Sequence, residues 1–312
     1  MWNLPGVEVW WAAARIGDGN LPVIGHRATE PVTPASVMKV QVALATASAI
    51  ARGELDGAAR VALDSTRRTP GPVGMSLMVD PIEMSLRDLL VPMMTISDNV
   101  ATDALIHAVG LEAINATTRD LGLPTTLVVS DLQSMLDDMA SEAGFHRYAD
   151  LAAHDPRNDG PPDQAQVTEL LARSSALDPR RGSRTTAEEM VRLLSLIWSD
   201  AAGPSSACAR IRLLMGQQLT RTRIASGFDG VTTVAAKSGG LMGVVRNEVG
   251  VVTTAQRESF AIAIFTRRND TRVAPSSIDT AIGRLARRLV ARLEAEPVQA
   301  PRSADPDVDR GI

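Results

Sequence analysis

The sequence predicts an α/β fold of the α+β kind, one antiparallel sheet flanked by helices with an all-α lobe inserted into it. Three observations lead there. Apolar residues recur at period two near the start, over 7–14, and again over 231–236, 248–254 and 259–266. The stretch between them carries helix starts and apolar stripes at helical spacing. Residues 277–294 then read as a long amphipathic helix able to cover the sheet. This order assigns 1–53 plus 211–296 to a lobe built from both ends of the chain. It assigns 54–210 to the helical lobe, with an extended loop region at about 142–181, and 297–312, rich in Pro, Asp and Arg, to a disordered tail.

Taken in order, 7–14 is a strand, 16–20 a turn and 21–26 a second strand, a hairpin that leads into a helix. Pro34 and Ser36 are start signals for that helix and Gly53 its stop. Residues 61–63 are extended and 69–74 a loop. Ser85 to Asp88 has the form of a capping box and opens a helix in which Pro92 threatens continuity. Ser97 or Asp98 caps the next helix. Helices over 111–120 and 131–143 precede a long polar loop at 154–163, and 167–173 is helical again. Thr186 to Glu189 is another capping box, before an apolar stripe of Met190, Leu193, Leu194 and Ile197. A helix over 205–218 ends the helical middle.

At 312 residues and 45% hydrophobic, the chain can bury a large core. Its net charge of -4 is small, its charges are scattered, and no basic cluster is interleaved with aromatics, so nucleic acid is not an expected partner. Cys208 is the single cysteine, which excludes an internal disulfide. The four histidines lie far apart and form no metal-ligand cluster, so the expected chemistry is metal-free and needs no cofactor. No segment is long enough to span a membrane and none at the start has the form of a leader. The expectation is a cytoplasmic monomer acting on a small molecule, or a secreted or periplasmic one if a leader has been removed.

The chemistry centres on Ser36 and Lys39. Three residues apart, they share one helical face, where an amine can take the hydroxyl proton if it is neutral. A lysine within a mostly apolar helix loses charge readily, because burial disfavours the ammonium form. A second hydroxyl stands at a helix start in Ser97-Asp98-Asn99. Lys237-Ser238-Gly239 ends the first of the returning strands. Singly these are a helix cap, a second cap and a strand end.

Together and in this order, Ser36-x-x-Lys39, Ser97-Asp98-Asn99 and Lys237-Ser238-Gly239 resemble the signature of the class A β-lactamases and penicillin-binding proteins. The resemblance runs from about Val7 to Glu294 and implies the β-lactamase/transpeptidase-like fold. It also implies roles. Ser36 attacks a carbonyl carbon with Lys39 as proton acceptor or relay. Ser97 passes a proton to the leaving amine, Asn99 holds Lys39 and the substrate amide, and Lys237 keeps the field near Ser97 positive. The N–H groups of Ser36 and Gly240 form the oxyanion hole. Ser238, Gly239 and Arg246 bind substrate, Arg246 gripping a carboxylate with its two-pronged guanidinium. A β-lactam, peptide or ester is the implied substrate, and the close alternatives are a DD-peptidase, an esterase or acyltransferase, and a protein that binds a β-lactam without turning it over.

The sequence departs from the class A pattern at one step. The Glu-x-x-Leu-Asn motif, whose glutamate activates the water that releases the acyl group, is absent. Residues 128–132 resemble the approach to it, but no matching pair follows. Asp137, Asp138, Glu142 and Glu169 are the candidate substitutes, and Tyr148 and His146 lie in the extra segment beside them. Each of these fits equally well as a solvated helix face or loop residue, and His107 reads as structural.

Overall fold

In the computed structural model, which describes residues 2–17, 22–66 and 68–295, the alternating segments from the two ends of the chain meet in one antiparallel sheet. β1 (Val7–Ile16) pairs along its whole length with β7 (Ser259–Arg268). With β2 (Ile24–His26), β5 (Thr233–Leu241) and β6 (Val245–Thr253), these strands follow the order β2-β1-β7-β6-β5. A separate hairpin joins β3 (Arg60–Leu63) to β4 (Ile82–Ser85). Residues 18–21 of the expected first hairpin and the 297–312 tail lie outside the described residues.

Both faces of the sheet are covered, which is why β7 reads as a nearly continuous apolar run from Phe260 to Phe265. On one face lies α11 (Pro275–Ala295), whose Ile278, Ile282, Leu285, Leu289 and Leu293 recur every three or four residues and pack with Val9, Trp11, Ile262 and Ile264. On the other lie α1 (Lys39–Ala51) and α9 (Ala187–Trp198). Every residue of α1 from Lys39 to Ala49 is buried, as befits a helix enclosed on all sides. Around it stand α2 (Leu86–Thr95), α3 (Asn99–Val109), α4 (Leu111–Asp120) and α10 (Ser205–Gly216). α9 packs on β1 and β7, so the expected division at 210 groups with the helical lobe an element that rests on the sheet. One hydrophobic core runs through both.

Several local expectations change. α2 runs unbroken through Pro92, whose carbonyl accepts from the N–H groups of Ile96 and Asp98 and so turns the chain toward Ser97. Ser85 and Thr186 do cap their helices, each accepting an N–H three residues on. The Glu189 side chain does not return to its own cap. It accepts instead from Thr125 N–H at 2.9 Å and Thr126 Oγ1 at 2.5 Å, fastening α9 to the segment before α5 (Leu132–Glu142). The extra region contains α6 (Tyr148–Ala153), α7 (Pro156–Asp159) and α8 (Gln164–Ala172). Its Val167, Leu171 and Leu177 pack on Leu241, Val244 and Val245 at the turn between β5 and β6. Lys237-Ser238-Gly239 lies inside β5 rather than at a strand end, because pairing with β6 continues through Gly240 opposite Arg246 and Leu241 opposite Val245.

Candidate active site

The segment holding Ser36 is a tight 3-10 turn, Ala35–Met38, that runs directly into α1. Ala35 sits at φ +49, a conformation a non-glycine residue holds only when its surroundings enforce it. Two neighbours do so. Asn247 of β6 donates its amide to the carbonyls of Thr33 at 2.9 Å and Pro34 at 3.2 Å, while its own carbonyl accepts from Thr266 N–H. Gly239 of β5 lies flat against the turn, where a Cβ would stand 2.7 Å from the Pro34 carbonyl. Only glycine lets strand and turn approach this closely.

Lys39 is the first residue of α1 and is wholly buried. Its amine donates to Ser97 O at 2.7 Å, to Asn99 Oδ1 at 2.9 Å and to Ser97 Oγ at 3.2 Å. Lys237, also wholly buried, reaches the same Ser97 hydroxyl from the opposite side at 3.0 Å and bonds Ser238 O at 2.8 Å. Ser97 occupies a left-handed turn, φ +65, between α2 and α3. The cap of α3 is Asp98, which accepts from Ala101 N–H at 2.8 Å and Met75 N–H at 2.6 Å. Two amines thus converge on one hydroxyl.

Burial sets the electrostatics. It lowers the Lys39 pKa to about 7, partly opposed by the charges of Asp98 and Asp103. Lys237 is pushed well below its ordinary value by burial and by the Lys39 and Arg223 cations, with the Glu248 charge opposing.

Ser36, Asn99 and Gly240 line one cleft of about 120 Å³. Ser36 is half-buried, and among the described residues no hydrogen bond joins its hydroxyl to Lys39. The facing wall comes from Leu132, Met135 and Leu136 of α5. These three side chains are apolar. Asp103 is spent holding the start of α5, accepting from Leu132 N–H at 2.7 Å, Gln133 N–H at 2.9 Å and the Thr69 hydroxyl at 2.6 Å. Of the four candidate acids, Asp138 lines the cleft. Asp137 accepts from Tyr148 N–H, Glu142 from the Ser174 hydroxyl and Ser175 N–H, and Glu169 pairs with Arg173. His107 bonds the Asp131 carboxylate at 2.8 Å.

The expected carboxylate grip of Arg246 is already engaged. Its guanidinium makes a two-pronged pair with Asp279 of α11 at 2.7 and 2.6 Å, and Asp279 also accepts from Arg223 Nε at 3.0 Å. Arg223 extends on to the carbonyls of Gly239 at 2.8 Å and Asn247 at 2.5 Å. Arg223, Asp279, Asn247, Gln218 and Glu248 all shape the site without being read from the sequence. Asn247 and Glu248 carry a signal, two polar residues inside an apolar strand. The lysines carry a plainer one: of 32 basic residues in the chain, Lys39 and Lys237 are the only lysines.

Comparison with known proteins bears on the family and the fold. A family model described as "Beta-lactamase enzyme family" matches residues 3–293. A relative from Streptomyces cacaoi, "Beta-lactamase regulatory protein BlaB", is 30% identical over 279 residues, 83% of this chain and 85% of the relative. Among solved structures, the β-lactamase of Sphaerobacter thermophilus superposes with a TM-score of 0.71 at 21% identity, covering 94% of each chain. PBP-A does so with a TM-score of 0.69 at 17% identity, over 93% of this chain and 92% of that one.

Proposed function

The chain belongs to the β-lactamase enzyme family, and from that premise we propose that it is a serine acyl-transfer enzyme, acylated on Ser36 by a β-lactam, amide or ester that bears a carboxylate. The observation that carries the reading is the convergence of two buried amines on the Ser97 hydroxyl, beside the cleft that Ser36, Asn99 and Gly240 line. In this reading neutral Lys39 takes the Ser36 proton as the Ser36 oxygen bonds the carbonyl carbon. The N–H groups of Ser36 and Gly240 hold the oxyanion, and losing one such donor costs about 3 kcal/mol of transition-state stabilisation. The carbon–nitrogen or carbon–oxygen bond then breaks. Ser97 gives its proton to the leaving atom and is reprotonated through Lys39 or Lys237. Arg246, paired with Asp279, is the side chain in this reading that would share its guanidinium with the substrate carboxylate.

A second reading shares acylation and differs in release: a β-lactam-binding protein that stays acylated. The apolar wall of Leu132, Met135 and Leu136 favours it, since the acid that lines the cleft, Asp138, stands outside the Glu-x-x-Leu-Asn pattern that positions a hydrolytic water. The regulatory designation of the Streptomyces cacaoi relative points the same way. Incubation with benzylpenicillin, followed by intact mass and lactam loss over minutes to hours, tests both. A one-to-one adduct absent from Ser36→Ala is the expected result. Persistence of that adduct supports the binding reading, and rapid lactam loss with little adduct supports turnover. No adduct and no lactam loss would overturn the proposal for β-lactams.

A further inference from the structure

Glu248 is the one charged residue in the apolar run 248–252 of β6, and it is wholly buried. A carboxylate in such a place needs partners for both oxygens. It has them: Oε1 accepts from Gln218 Nε2 at 3.0 Å and Oε2 from Ile224 N–H at 2.6 Å. Both contacts are donated to the carboxyl group, which is the pattern of an ionised carboxylate, since a protonated one would need an acceptor. Burial raises its pKa, and the Arg223 charge, these hydrogen bonds and the Lys237 charge oppose that rise only in part.

The contacts lead to the site in two ways. Gln218, held by Glu248 through its amide nitrogen, uses its amide oxygen to accept the N–H of Ser238, the residue after Lys237 and the one opposite Glu248 in the sheet. Gln218 and Ile224 belong to the link that follows α10, so one carboxylate fastens that link to β6, and Gln218 carries the hold across to Ser238 of the motif strand β5. The second way is electrostatic. Lys237 Nζ bonds a hydroxyl and a carbonyl, neither of them charged. Lys39 has Asp98 and Asp103 for countercharge, whereas the acid acting on Lys237 is Glu248. The other charges facing this group are cations, Arg223 from the α10–β5 link, Arg246 on the same strand and Lys39 beyond Lys237, with Asp279 of α11 taken up by the two arginines.

We propose that Glu248 is the positioning residue for Lys237, fixing the motif strand through Gln218 and supplying the negative charge that lets a buried Lys237 hold a proton beside Lys39. The proposal deepens the acyl-transfer reading and rests on it for its consequence in catalysis, although its test needs no substrate.

Because the chain has two lysines, labelling with 13C-lysine gives two side-chain signals to follow against pH in the full chain. Lys39→Arg assigns them by leaving Lys237 alone. In Glu248→Gln, which keeps the shape and one of the two accepted hydrogen bonds but removes the charge, the Lys237 titration is expected to move down by about one pH unit or more, with a smaller shift in Lys39. An unchanged Lys237 titration in folded Glu248→Gln protein overturns the proposal. Gln218→Leu serves as the second variant should Glu248→Gln not fold: it keeps the charge and removes the link to Ser238. It is expected to keep the Lys237 titration within a few tenths of a unit while slowing acylation by benzylpenicillin about tenfold. Acylation at the wild-type rate in Gln218→Leu overturns the mechanical half. A wild-type chain that benzylpenicillin never acylates counts against the acyl-transfer reading and leaves the lysine titration to judge Glu248.

Discussion

Leu132 is the residue at which the two readings of the site separate. It lies at the first position of α5, buried, on the wall facing Ser36, with its N–H held by Asp103. Leu132→Glu would put a carboxylate on that wall, able to activate a water against an ester on Ser36. The expected outcome is a shorter-lived penicillin adduct and faster lactam loss than wild type, read by the same mass experiment. A variant that folds and keeps the wild-type adduct lifetime would show that the missing acid is not what limits release. The residues of the three motifs were legible because their chemistry demands particular side chains at fixed spacing. Arg223 and Asp279 were not, since a buried arginine and its carboxylate are 56 positions apart and become partners only when the α10–β5 link meets α11.

At the scale of elements, the site depends on how β5 seats against the Ala35–Met38 turn. Gly239→Ala places a methyl group 2.7 Å from the Pro34 carbonyl, so strand or turn must give way. Overpacking of this kind costs about 1–3 kcal/mol. The expected result is a lower thermal midpoint together with loss of acylation greater than ten-fold; a variant acylated at the wild-type rate would mean that the seating is not needed. Strands and helices were legible from period and from caps such as Ser85 and Thr186, because local hydrogen bonds and burial of one face set them. Three features set by distant contacts were not. The β3–β4 hairpin rests on pairing between residues 19 to 25 apart, Glu189 leaves its own cap to hold the segment before α5, and β5 extends through its glycines because β6 lies beside it.

For the whole molecule, the buried lysines make stability depend on pH. Lys39 has a folded pKa of about 7 against an ordinary value near 10.5, so between those limits the unfolded chain binds more protons than the folded one. Stability therefore rises with pH across that window, and the lowered pKa of Lys237 acts in the same direction. Urea midpoints measured at pH 7 and pH 9 are expected to show the rise, and to show a smaller one in Lys39→Met. An equal rise in that variant would place its origin elsewhere.

Apart from these two lysines and four histidines, every basic side chain in this protein is an arginine, so its positive surface charge is carried by guanidinium groups. Reagents that seek side-chain amines, such as acylating or alkylating probes, meet only Lys39 and Lys237, and both are enclosed. Any such labelling would report directly on how often the centre of the protein opens, a readout that a lysine-covered surface would drown.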